Sequence, residues 1–189
     1  ITPGRLFRGL HPDLKAVALM AKLKERNADS IFGALAHEIE AIGVQLLDAR
    51  SWMDFEMAEA GNMTRNKLTV ENDHLEHGIN VAKTIAEANI GQGVVVSRGT
   101  VLAVEAFEGT DAMLKRAGSF QAKNPIFVKT IKPNQDFRFD VPVFGIKTLN
   151  VMREAGIDTA ALEAGNVLIL EKHKVSSEAS KWGIRIYGF

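Results

Sequence analysis

Two short stretches hold most of the groups that could do chemistry. The first is Glu105-Ala106-Phe107-Glu108-Gly109-Thr110-Asp111. Glu105 follows the apolar run Val101 to Val104, so it is expected partly buried at a strand end. A carboxylate there needs a cation, whether Arg, Lys or a metal. Gly109 permits close backbone approach, and the N–H groups after Thr110 would face outward at the positive end of a helix, a seat for phosphate. The same residues would serve equally as a helix cap with a solvated acidic turn.

The second stretch is Lys129 followed by Lys132-Pro133-Asn134-Gln135-Asp136-Phe137-Arg138-Phe139-Asp140-Val141-Pro142. Lysine suits phosphate oxygens as a point charge and arginine as a fork. Asp136 and Asp140 could hold Mg²⁺, a hard cation that takes oxygen ligands and bridges phosphates. Phe137 and Phe139 alternate with the charged residues, so one face would anchor while the other presents charge. A surface strand of weak ion pairs would read the same way.

Other candidates are weaker. His74 and His77 lie three apart beside Glu71, Asp73 and Glu76, but a helical metal site needs a further ligand at a defined place, and a solvated polar face is expected. Gly91-Gln92-Gly93 lacks the third glycine of a dinucleotide fingerprint and reads as a helix stop and turn. Ser97 and Ser119 have no local base, so no serine triad can be argued. The chain has no cysteine, which excludes thiolate nucleophiles, disulfides and iron–sulfur clusters. A reducing, cytoplasmic setting fits. The 23 basic residues balance 23 acidic ones over 189 residues, so bulk charge offers no attraction to nucleic acid or acidic lipid. No run approaches the ~18 apolar residues that span a bilayer.

Elements must position these groups. His11-Pro12-Asp13 opens a helix, with Pro12 in its first turn and an end near Asn27. Asp29 or Ser30 caps a second helix through Ile31, Leu35, Ile39 and Ile42 to Gly43. Val44 to Leu47 reads as a buried strand. The reading is thus a partial, Rossmann-like N-terminal α/β domain over residues 1–61, a linker over 62–72 and a C-terminal α/β domain over 73–189. In the latter, a helix runs from Asn72 or Asp73 through Leu75, Ile79, Ala82 and Ile85. Val94 to Ser97 and Thr100 to Phe107 flank an Arg98-Gly99 hairpin turn. A short helix over Ala112 to Ala117, a strand over Ile126 to Ile131, a helix from Ile146, strands around Gly165, a helix over Glu171 to Trp182 and a last strand at Ile184 complete a two-domain α/β fold with a mixed sheet.

The ordered series Val94-Val95-Val96, Val101 to Ala106, Glu108 to Leu114, Val128-Lys129, Lys132 to Asp136, Arg138-Phe139-Asp140-Val141-Pro142 and Leu162-Glu163-Ala164-Gly165 closely resembles the UDP-2,3-diacylglucosamine pyrophosphatases of the LpxI type. Phe7-Arg8-Gly9-Leu10 to Lys15 looks like the family's mid-N-terminal segment, so the resemblance covers essentially the whole chain. Family members open on a further strand-rich segment ahead of it. The resemblance implies hydrolysis of UDP-2,3-diacylglucosamine to UMP and 2,3-diacylglucosamine 1-phosphate (lipid X) in lipid A synthesis. Water would attack the sugar-linked phosphorus with the help of Mg²⁺ or another divalent cation. Matched to the Arg-x-Asp-x-Pro motif, Asp140 is the implied catalytic carboxylate, with Asp111 and Asp136 as further catalytic candidates. Asp140, Glu108 and Glu105 are the expected metal ligands. Lys129, Lys132, Gly109 and Thr110 would hold the phosphates, with Gln135 and Arg138 in support. Peripheral contact with the inner membrane through the lipid substrate and a homodimer are expected. A non-catalytic sugar-nucleotide binding module is the alternative from another class, and a transferase with a lipid acceptor is a third.

Overall fold

The structure, a computed structural model, describes residues 13–23, 28–67 and 72–189. It divides into two units: Ile1–Ala49 with Asp136–Phe139, and Arg50–Gln135 with Asp140–Phe189.

The described part of the first unit is helical. Asp13 caps α1 (Leu14–Lys22), its carboxylate accepting from the Ala16 N–H at 2.7 Å. Leu23 is already extended, so this helix stops short of Asn27; Pro12 and residues 24–27 lie outside the described residues. The second helix, α2 (Ala28–Ala41), begins at Ala28 and so already includes Asp29 and Ser30. Gly43, at φ +83°, follows its end. The strand expected at Val44 to Leu47 does not form. These residues join no ladder, and Val44 and Leu47 are about half exposed, because four apolar residues beside a glycine stop carry no partner strand with them.

In the second unit six strands make one mixed sheet in the order β1-β8-β6-β4-β2-β3. They are β1 (Gly61–Asn62), β2 (Gly93–Ser97), β3 (Thr100–Val104), β4 (Ile126–Lys129), β6 (Thr159–Leu162) and β8 (Arg185–Gly188). The centre, β4, β6 and β8, is parallel. β2 runs antiparallel to β4 and to its hairpin partner β3, and β1 runs antiparallel to β8 at the far edge. Arg98 and Gly99 both have positive φ, the type I′ geometry whose twist matches the strands it joins. A second, two-stranded sheet pairs β5 (Val143–Phe144) with β7 (Leu168–Ile169) in parallel.

The period-two pattern of the strands serves two layers. Val94, Val96 and Val128 face Leu75, Ala82 and Ile85 of α3 (Asn72–Glu87). Val95, Phe127, Ala160 and Ile186 face the opposite layer: α4 (Thr110–Gly118), α5 (Ile146–Glu154) and α6 (Lys172–Lys181), through Met113, Leu114, Leu149, Met152 and Val175.

The end of the span assigned to the N-terminal domain belongs to the second unit: Met57 and Ala58 are buried, Ala58 N–H donates to the Val167 carbonyl at 2.8 Å, and Gly61, with Asn62 at the start of the expected linker, pairs with Gly188 and Tyr187. A strand of two residues is too short to leave a periodic signature in sequence. Two 3₁₀ turns, Ala49–Trp52 and Asp54–Glu56, precede it.

Candidate functional site

Topology gathers the polar residues at one end of the large sheet. β4, β6 and the hairpin's β3 finish there, at Lys129, Leu162 and Val104, while β2 begins there at Gly93. Register places Gly93 opposite Lys129 and Lys129 opposite Leu162, and Glu105 N–H donates to the Gly93 carbonyl at 2.8 Å. This is where open α/β sheets take ligands.

The first group is Glu105, Thr110 and Lys129. Thr110, the first residue of α4, donates its hydroxyl to Glu105 Oε1 at 2.6 Å and accepts from Lys129 Nζ at 3.3 Å. Lys129 is only 6% exposed. Glu105 Oε2 is buried without a hydrogen-bond partner. Gly109 precedes the helix at φ +81°, and no side chain caps the helix start. Glu108, Gly109, Thr110 and Asp111 line a cavity of 420 Å³ together with Lys147 and Thr148 of α5, whose start at Gly145 is also uncapped by a side chain. Two helix N-termini thus open onto one space, a surrounding that favours phosphate.

The flanking acids are already matched. Asp111 pairs with Lys147 at 2.7 Å and Glu108 with Arg116 at 2.5 Å. The Arg116 guanidinium holds the Glu108 carboxyl below the usual carboxylate range.

The second group centres on Asp140. Gln135 Nε2 donates to the Asp140 carbonyl at 2.9 Å and to its Oδ2 at 3.1 Å. Gln135 Oε1 accepts from Gln92 Nε2 at 2.5 Å and from the Lys132 N–H at 3.3 Å. Gln135, expected beside a phosphate, therefore spends its amide within the protein.

Asp136 and Arg138 belong to the first unit. Arg138 Nη2 meets Asp136 Oδ2 at 2.7 Å while its Nη1 meets Glu40 Oε1 at 2.5 Å. The guanidinium depresses the Asp136 carboxyl, and the two acids raise the guanidinium in turn. Phe139 stacks on Phe32, with ring centres 5.9 Å apart. The aromatic residues do anchor this segment, in a turn rather than along a strand.

Two contributors escaped the sequence reading. Gln92 looked like part of a turn, and its flanking glycines were the available sign that backbone closes tightly there: a Cβ on Gly91 would lie 2.0 Å from the Glu105 carbonyl oxygen. Glu163, inside a quoted motif but given no role, accepts from the Thr130 hydroxyl, the Ile131 N–H at 3.1 Å and Asn166 Nδ2 at 2.9 Å. It ties the end of β4 to that of β6. His77 is not wholly solvated, since its Nε2 is buried and lacks a hydrogen-bond partner.

The ligand set Asp140, Glu108 and Glu105 is not assembled around one point, and among the described residues no group of three His, Asp or Glu is placed to hold a metal. Glu108 is committed to Arg116. Asp140 fits a simpler site, in which Mg²⁺ takes one or two carboxylates and completes its shell with water and substrate phosphate. It is half-buried, and among the described residues its side chain meets the neutral Gln135 amide and no cation.

Residues 1–55 match the LpxI N-terminal domain and residues 59–187 the LpxI C-terminal domain. The chain belongs to the LpxI family. UDP-2,3-diacylglucosamine pyrophosphatase LpxI of Caulobacter vibrioides is 30% identical over 196 residues, covering 96% of this chain and 69% of the relative. The LpxI domain matches change over at residues 55–59, ahead of the expected linker and close to the Ala49/Arg50 division of the structure. Both polar stretches, Glu105 to Asp111 and Lys129 to Pro142, fall inside the LpxI C-terminal match.

Proposed function

We propose that this chain is a UDP-2,3-diacylglucosamine diphosphatase, releasing UMP and 2,3-diacylglucosamine 1-phosphate for lipid A synthesis. Family membership and the activity named for the Caulobacter relative support the substrate and the reaction class. One observation carries the assignment of residues: of the acids singled out, Asp111, Glu108 and Asp136 are each neutralised by a cation and Glu105 has one oxygen held by Thr110 and the other buried, whereas the half-buried Asp140 keeps a carboxylate with no cation of its own among the described residues.

In this reading the diphosphate lies against Lys129, Thr110 and the open start of α4, where charge spreading over phosphate oxygens meets an ammonium and backbone N–H groups. Asp140 accepts the proton of the attacking water. The water oxygen bonds to the sugar-linked phosphorus, the bond to the bridging oxygen breaks, and UMP leaves with that oxygen. Asp140 would hold Mg²⁺, whose charge would offset that on the phosphates. No helix among the described residues is long and apolar enough to cross a membrane. The diacyl substrate is met, on this reading, by peripheral contact at the cytoplasmic face of the inner membrane, by a homodimer.

The test is UMP release from UDP-2,3-diacylglucosamine with Mg²⁺, comparing the native chain with Asp140→Asn. The expected result is turnover in the first and a fall of about 10²-fold or more in the second, the scale of general acid–base catalysis. A folded Asp140→Asn protein with native turnover would remove Asp140 from the mechanism. A folded native chain that binds the substrate without releasing UMP would make it a binding module.

A further inference from the structure

Gln135 sits in a setting that fixes which way its amide points. The Asp140 carbonyl and carboxylate are pure acceptors, so the amide nitrogen must face them; the Lys132 backbone N–H is a pure donor, so the amide oxygen must face it. With that oxygen fixed, Gln92 can approach it only with its own nitrogen, as it does at 2.5 Å. Gln92 is in turn held at the sheet: its carbonyl accepts from the Thr130 N–H at 2.9 Å, and the next residue, Gly93, pairs with Lys129. A chain of two oriented amides therefore runs from the β2–β4 edge to Asp140 Oδ2. All three residues are half-buried.

We propose that Gln135, braced by Gln92, is a positioning residue that sets the aim of the Asp140 carboxylate, and that neither glutamine is a phosphate ligand. The proposal rests on Asp140 acting in the reaction. A carboxylate held at both its backbone carbonyl and its Oδ2 by one amide has little freedom to turn away from the water it must meet. Gln92 touches nothing that reacts; its effect passes through Gln135 alone.

The decisive experiment is a double-mutant cycle on the native chain, read as kcat and KM for UMP release, with thermal midpoints to verify folding. Gln135→Met keeps length and removes the donor; kcat falls about 10–100-fold, the range for losing an outer-shell partner, with KM within about twofold. Gln92→Met alone lowers kcat less, about three- to tenfold, since the amide it braces remains. Combined, the two lower kcat no further than Gln135→Met does, because Gln92 has nothing left to act through. Gln135→Glu, which preserves shape and the acceptor toward Lys132, gives an independent route should Gln135→Met fold poorly, and it also loses kcat. A raised KM with kcat preserved in the Gln135 variants would make Gln135 a substrate ligand and overturn the proposal. Additive losses in the double variant would overturn the relay through Gln92. If Asp140→Asn abolishes turnover while both glutamine variants work normally, the relay alone fails. If Asp140→Asn turns over normally, the reading of Asp140 fails and the relay with it.

Discussion

Replacing Lys129 with methionine should make the protein more stable and less active at once. Lys129 lies on the central strand β4 with 6% of its surface exposed, and among the described residues its ammonium meets only the Thr110 hydroxyl, at a long 3.3 Å. No carboxylate pairs with it among the described residues, although Glu105 shares the same threonine. A buried ammonium with one neutral partner is poorly compensated for its lost hydration. Methionine has nearly the same length and no charge, so Lys129→Met should raise the unfolding free energy by about 1–2 kcal/mol. For a chain of this size that is a rise of about 2–8 °C in thermal midpoint. The same substitution removes a charged donor from the transferring phosphate, an effect of about 10²–10³ in kcat. Calorimetry and UMP release, done on one preparation, measure both. A variant that is less stable, with activity falling only in proportion to unfolding, would show that Lys129 serves the fold, and the phosphate role would be withdrawn.

Further outcomes follow from other contacts. Gly91→Ala drives a Cβ to 2.0 Å from the Glu105 carbonyl, so the backbone must part there; a loss of about 1–3 kcal/mol in urea unfolding is expected, and an unchanged midpoint would contradict the tight approach. Thr110→Val leaves both Glu105 oxygens without a hydrogen bond in a partly buried site and should cost about 1–3 kcal/mol by the same assay. Because Arg116 lowers the Glu108 carboxyl in the folded protein, that pair stabilises above the ordinary carboxylate range and is lost as pH falls through the depressed value. The midpoint gap between the native chain and Glu108→Gln should therefore close on acidification below about pH 4; a gap that widens would reverse the sign. Hydrolysis in ¹⁸O-labelled water should place the label in the sugar phosphate and leave UMP unlabelled, whereas labelled UMP would move the attack to the other phosphorus.

The second unit was largely legible because its elements are amphipathic at recognisable periods. The alternation Val94-Val95-Val96 serves two layers, and Arg98-Gly99 supplies the two positive-φ residues of a two-residue hairpin turn. The first unit was less so: a short apolar run such as Val44 to Leu47 says nothing about whether a partner strand exists. Residue type alone could not tell which acids carry a cation of their own. Asp136 is paired by Arg138 two residues on, but the cations beside Asp111 and Glu108, Lys147 and Arg116, come from another helix and from a later turn of the helix that follows. Gln92 was missed for the complementary reason, since a neutral amide acquires a role only from the orientation of what it touches.

The pairing of β1 with β8 joins residues 61–62 to residues 187–188, the most widely separated strands of the large sheet. During synthesis β1 leaves the ribosome well over a hundred residues before its neighbour exists, about ten seconds at typical elongation rates. Until then Met57 and Ala58, buried in the finished protein, have no strand edge to settle against, because β7 and β8 also come late. The β2–β3 hairpin and α3 can form early from local contacts, while closure of this edge belongs to the last step. In refolding, helical signal should therefore return before the burial of this segment, which marks completion of the sheet.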